Sequence, residues 1–362
     1  MPTSEQPLEA GEQKATGRRV VGIDLLRICA GTTVIFVHVY GQPANHQWFY
    51  PWNLAIFLVL CGYFWRPGRR FVDELRKRGR TLAMPYLVWL IVIVVVVTTV
   101  PTRAGRYPVR GIVDALIGGS HAVGPFGTLW FVSALFFTCL LYRLLDRIPW
   151  VGQVIIAIAA IAVAYLFGPV LATTPLAIGQ AVPLLAFLIA GRGVAKLVPL
   201  VRYPLITGAG MLVVSAATIA FVPLTPFDLK SGHWGTPVIE PILSVVICAA
   251  LILIAGRIAL PARIASLASL LATAAIAVVL GHLVVVTEGR DDLIRSSIIL
   301  VVAVVVSWVG AAILRISPLS LPFTGWRRFR PGIGVRTAVP EALRRAPSSS
   351  PQPASPAVEQ SH

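Results

Sequence analysis

Residues 84–101 read MPYLVWLIVIVVVVTTVP, a run without a single Asp, Glu, Lys or Arg. At 1.5 Å per residue such a run covers most of a hydrocarbon core roughly 30 Å thick. Its apolar residues are continuous, whereas a barrel stave alternates and ends after about ten. This stretch therefore predicts a membrane-spanning helix. Comparable runs fall near 20–40, 50–65, 128–145, 150–168, 178–195, 204–222, 238–256, 267–287 and 294–314. The expected fold class is all-α: a polytopic membrane helix bundle of about ten transmembrane helices. The run at 50–65 is the shortest of them.

Composition agrees with lipid as the solvent. Of 362 residues, 56% are hydrophobic and only 13% charged, about half the charged share of a soluble domain. The net charge of +16 would suit nucleic acid if the cations formed one stripe. They flank apolar runs instead, so no nucleic-acid partner is expected. With the N-terminus inside, 24 of the 31 Lys and Arg fall on the cytoplasmic side and 6 outside, Arg27 lying within the first run. The positive-inside rule then places both termini in the cytoplasm. The first run follows a polar lead, has no small-residue cleavage site and carries Asp24 and Arg27, so it is read as a retained helix. Three regions are expected: a polar tail at 1–19, the membrane domain at 20–315, and a tail at 316–362. That last tail is basic, then rich in Pro, Ser and Ala (SSSPQPASPAVEQSH), a composition that favours disorder. Cys29, Cys61, Cys139 and Cys248 sit singly in apolar runs and suggest no disulfide framework.

Charge inside a span is costly and marks candidate chemistry. The first helix, GIDLLRICAGTTVIFVHVY (22–40), carries Asp24, Arg27 and His38. From Arg27 to His38 is three turns plus about 20°, so both share one face about 16 Å apart. Asp24 is one turn from Arg27 and within pairing reach. The three line a path across the bilayer. The plainer alternative is a structural Asp24–Arg27 pair and an interfacial His38.

Four motifs lie in order along 20–145: the Arg27-x₁₀-His38 helix, IFLVLCGYFW (56–65), LRKRGRTLAMPYLVWL (75–90) and GTLWFVSALFF (127–137). Together they resemble the acyltransferase-3 family of integral membrane acyltransferases. Cys61 departs from the pattern, standing where Ser is common. The resemblance implies His38 as the catalytic histidine and Arg27 as its partner; Asp24 joins them as a candidate through its pairing with Arg27. It also implies Arg78 and Arg80, its Arg-x-Arg pair, as the site of the acyl-CoA donor on the cytoplasmic face, and Arg76 of the same basic cluster is a further donor-site candidate. Family members move acyl groups, usually acetyl, to hydroxyls of extracytoplasmic glycans and other small acceptors. Acetyl-CoA as donor, a glycan or similar acceptor and an inner or plasma membrane location follow as expectations.

The residue chemistry is compatible. An imidazole takes a proton from an attacking alcohol or accepts the acyl group itself, and the sequence leaves both routes open. The seven cations between Arg66 and Arg80 suit the anionic 3′-phospho-ADP end of coenzyme A, or equally topology and anionic lipid. His282 in VVLGHLVVV is a secondary candidate facing the bundle interior. Glu240 is a carboxylate near the acceptor or a helix cap. Trp130 suits an interfacial belt first and a sugar platform second. His121 and His233 read as solvated loop residues. No metal-ligand spacing or nucleotide loop is present, and no metal is expected. A secondary transporter or flippase using the Arg27–His38 stripe is the main alternative, and a non-catalytic subunit the third.

Overall fold

In lipid every backbone N–H and C=O needs a partner within the protein, and a helix supplies those partners locally. The computed structural model describes residues 21–41, 43–100, 109–286 and 293–329, and they are overwhelmingly helical. The helices are α1 (Val21–Val39), α2 (Pro43–Asn53), α3 (Ala55–Tyr63), α4 (Phe71–Arg78), α5 (Met84–Thr99), α6 (Val109–Ile117), α7 (Leu129–Leu145), α8 (Trp150–Ala172), α9 (Ala181–Leu197), α10 (Pro204–Phe221), α11 (Ile239–Ala255), α12 (Ala262–Val285), α13 (Leu293–Ile316) and α14 (Ser320–Thr324). A π-helical turn at Gly79–Ala83 joins α4 to α5. The tail at 1–19, residues 330–362, and Arg103, Arg106 and Arg290 lie outside the described residues.

Eight helical stretches are long and apolar enough to cross a membrane: 21–39, 71–99, 124–145, 150–172, 175–200, 204–221, 262–285 and 294–316. The other two expected spans are shorter. Helix α11 has 17 residues. The expected 50–65 span is interrupted by a turn at Leu54, which divides it between α2 and the nine-residue α3. Nine residues reach about 14 Å, under half the bilayer core. The break follows Pro51, which brings no N–H to its helix. It places Asn53 and Leu54 on the wall of a cavity.

Helix α3 is nevertheless central, with Ile56, Leu58 and Val59 fully buried. It crosses α9 at two glycines. A Cβ on Gly62 would strike the Leu188 carbonyl, and one on Gly191 the Val59 carbonyl. Small residues let the two backbones touch, a packing mode common between helices in lipid. Helices α1, α7, α9 and α12 are mostly buried, whereas α8, α10 and α13 turn long apolar faces outward. Ile155, Ile158 and Leu166 on α8 and Val213 on α10 are among the exposed side chains. In water such faces would aggregate; in a bilayer they meet lipid.

Two short connections matter for the site. A hairpin, β1 (Phe227–Asp228) and β2 (His233–Trp234), pairs Phe227 with Trp234 and Asp228 with His233. The apolar pattern held no sign of it, because two-residue strands have no period to read. At the other end α14 folds back beneath α5, where the Trp89 indole donates to the Phe323 carbonyl at 3.2 Å. Arg315 anchors this return, donating to Thr273 and Ser320 at 3.0 Å each.

Candidate functional site

Helix α1 carries the polar stripe, and the structure divides it between two cavities. Near its start Arg27 pairs with Asp24 at 3.0 Å and lies 5.6 Å from the centre of the Phe64 ring. Asp24 is buried, while about a third of the Arg27 side chain stays accessible. Both line a cavity of about 600 Å³. Three turns on, His38 lines a second cavity of about 220 Å³, with Tyr50, Asn53, Thr128, Trp130 and Lys230. Phe131 and Val279 form part of both walls, so the cavities adjoin there.

The larger cavity is basic. Arg27, Arg66, Arg69, Lys77 and Arg78 contribute to its wall, against the single carboxylate of Asp24. Two of these cations, Arg69 and Arg78, are held by Glu74, the one residue of α4 that is buried. Its carboxylate accepts from Arg78 Nε at 2.7 Å, Arg69 Nη1 at 2.9 Å and Arg143 Nη2 at 3.1 Å. Arg143, on α7, also pairs with Asp146, donates to the Arg66 carbonyl and lies 4.2 Å from the Trp65 ring centre. Buried charge is tolerated only with partners of this kind. The network ties α4 to α7 and turns Arg78 inward, where Nη1 sits 3.8 Å from Cys61 Sγ.

Arg76 and Arg80 are exposed and line neither cavity. Two residues along a helix is a rotation of about 200°, so Arg78 and Arg80 face opposite ways and only one meets the cavity. The donor-site expectation for Arg76 and Arg80 therefore has no support from position. Lys77, Arg69 and Arg66 contribute the cavity's other cations.

In the smaller cavity His38 is backed by His282 of α12, which is fully buried. His282 Nδ1 lies 3.1 Å from the carbonyls of both Val278 and Val279, and His38 Nδ1 lies 2.7 Å from that of Val34. A carbonyl can only accept, so each Nδ1 carries its ring's proton. His282 Nε2 then faces the His38 Nδ1–H at 3.4 Å, the rings meeting edge to face at 5.0 Å. This tautomer leaves the basic lone pair of His38 on Nε2. In its neutral form an imidazole fixed in this way is suited to taking a proton from a hydroxyl.

Trp130 is buried on the wall of this cavity, beside Phe131. Glu240 lines neither cavity. It accepts from the Thr236 backbone N–H at 3.2 Å, closing the loop between the hairpin and α11. His121 and His233 are exposed. Among the described residues no three His, Cys, Asp or Glu side chains gather as metal ligands would.

Sequence reasoning passed over Glu74, Arg143 and Lys230. Glu74 and Arg78 stand four residues apart, a spacing that signals a helical ion pair. Arg143 and Lys230 looked like topology charges, and nothing local distinguishes them.

The comparisons with known proteins bear on the whole span. The sequence model of the acyltransferase-3 family, described as an acyltransferase domain, matches residues 20–316. Nodulation protein NolL of Mesorhizobium japonicum is 30% identical over 176 residues, which is 44% of this chain and 45% of that protein. The chain thus aligns with less than half the length of this curated relative. No solved structure matches. With the family match spanning all the helices from α1 to α13, the chain belongs to the acyltransferase-3 family, and its fold is a helix bundle with eight helical stretches long and apolar enough to cross a membrane.

Proposed function

We propose that the protein moves an acyl group, acetyl in the simplest case, from acyl-CoA bound in the basic cavity to a hydroxyl held in the His38 cavity. The observation that carries this reading is the pair of adjoining cavities along α1, one lined by five cations and the other built around a histidine oriented by the Val34 carbonyl. Coenzyme A ends in a 3′-phospho-ADP group, which guanidinium forks bind bidentately. The pantetheine arm would pass Phe131 and Val279 to bring the thioester toward His38.

With α2 and α3 together making the second crossing, the positive-inside rule would put the basic cavity on the cytoplasmic side, where acyl-CoA is made, and His38 toward the opposite face. The acceptor would then be an extracytoplasmic hydroxyl, with glycans of the cell envelope the leading class and the inner or plasma membrane the location. Trp130 and Tyr50 provide aromatic surfaces on which a sugar ring stacks. His38 Nε2 serves either of two routes. As a general base it takes the hydroxyl proton while the acceptor attacks the thioester; as a nucleophile it first receives the acyl group. Rapid-quench analysis for an acid-labile acyl-protein separates them. The transporter reading would use the same stripe, but the family is one of acyltransferases.

Donor binding tests the assignment without knowledge of the acceptor. Purified protein in detergent should bind acetyl-CoA competitively with 3′-phospho-ADP, and Arg78→Ala should weaken both. Binding that tracks the acyl chain and ignores 3′-phospho-ADP would remove the basic cavity from the donor site.

A further inference from the structure

The His38 cavity has a second charged wall that the reaction outlined above leaves unused. Among the described residues Lys230 is the one lysine or arginine lining this cavity. It lies between the two hairpin strands, and the backbone around it is pinned from several directions. Asp228 accepts from the Lys230 backbone N–H at 3.0 Å and from the Ser231 hydroxyl, closing a tight turn. Gln180, buried at the start of α9, donates to the Leu229 carbonyl at 2.7 Å and the Lys230 carbonyl at 3.3 Å. Phe227, Leu229 and Trp234 are buried on either side. The side chain is held as well, with Nζ donating to the Ala122 carbonyl at 2.7 Å. An ammonium has three N–H bonds, so this contact leaves two donors for the cavity. None of the ion pairs among the described residues includes Lys230.

A pinned ammonium lining the same cavity as a pinned base suits charge that develops during a reaction. We propose that Lys230 is an oxyanion-binding catalytic residue, donating to the acyl carbonyl oxygen as it becomes negative; this rests on the transfer reading given above. In direct transfer the acceptor oxygen forms a bond to the acyl carbon and loses its proton to His38 Nε2. The carbonyl π pair moves onto oxygen, which Lys230 stabilises. Collapse restores the carbonyl and breaks the C–S bond, and the departing CoA sulfur takes the proton from His38. If His38 itself accepts the acyl group, the same oxyanion forms in each half-reaction and meets the same ammonium.

The titratable groups facing Lys230 in this cavity are His38, Tyr50 and Asp228, with His282 behind His38. Burial lowers the Lys230 pKa below the ordinary lysine value, opposed by the nearby Asp228 carboxylate. The ammonium is therefore lost at lower pH than a solvated lysine's, and rate should fall as pH rises through that range.

The test uses the purified full chain and follows release of CoA from acetyl-, propionyl- and succinyl-CoA, with water or an added sugar alcohol as acceptor. Lys230→Met should lower kcat by about 10²- to 10³-fold, the usual loss for one oxyanion donor. Its binding of 3′-phospho-ADP and its melting temperature should stay near wild type. Lys230→Arg should recover part of the rate and move the alkaline limb upward, because a guanidinium does not titrate there. CoA release by Lys230→Met at the wild-type rate would overturn the assignment alone, as would an alkaline limb unmoved in Lys230→Arg. Loss of rate in Lys230→Met together with loss of 3′-phospho-ADP binding would also overturn it, showing a structural role. No release by the wild type from any of the three donors would overturn the transfer reading and the Lys230 assignment with it.

Discussion

The two cavities on α1 differ in how they distribute charge. In the basic cavity five cations share the wall, three arginines converge on Glu74, and the volume is nearly three times larger. In the histidine cavity one imidazole and one ammonium stand on separately pinned elements, each with a short hydrogen bond to a backbone carbonyl, and the Asp228 carboxylate is engaged by the hairpin turn. Binding a long polyanion tolerates redundancy, because several weak contacts add. Proton transfer does not, because it needs one nitrogen in one tautomer at one place. The contrast predicts that substitutions in the first cavity change donor affinity by degrees, and those in the second change rate steeply.

The largest effect should come from His38→Ala, lowering kcat by about 10²- to 10⁴-fold with 3′-phospho-ADP binding intact, as befits a lost general base. Next, Arg78→Ala should raise the KM for acyl-CoA by about 10- to 100-fold at similar kcat, because a hydrogen bond to a charged group is worth about 1.5–3 kcal/mol. Steady-state kinetics over a donor titration distinguish the two patterns. His282→Ala removes the second, longer acceptor of the His38 Nδ1–H and leaves the Val34 carbonyl in place. One hydrogen bond of about 1 kcal/mol corresponds to about fivefold in kcat. Arg80→Ala should be smallest, changing KM by less than about twofold and losing that effect in high salt, as expected for an exposed, screened charge. An Arg80 effect as large as that of Arg78 would break the division between cavity and surface.

The long helices were legible because hydropathy alone decides them: 84–101 contains no charge to place, and α5 covers nearly all of it. The α1 stripe was legible too, since an eleven-residue spacing on a helix fixes which residues share a face. It was not legible that Phe131 and Val279 divide the stripe between two chambers, because those residues look like any other apolar wall. Residues 50–65 met the apolar criterion as a span but turn at Leu54, and hydropathy averages across such a break. Arg78 and Arg80 are adjacent in a motif yet opposite in space, which a pattern of letters does not record. His282 had a weak context in sequence and stands directly behind His38 in the fold, from a helix about 240 residues away. Lys230 carried no pattern at all; only the hairpin and Gln180 bring it to the cavity.

The central claim is that acyl transfer from a CoA donor runs through His38. The most direct measurement places wild type and His38→Ala side by side in proteoliposomes with radiolabelled acetyl-CoA. The account predicts that the wild type moves label from CoA to water, an added alcohol or the protein, while His38→Ala binds the donor and moves none. Label transfer by His38→Ala at the wild-type rate would contradict it.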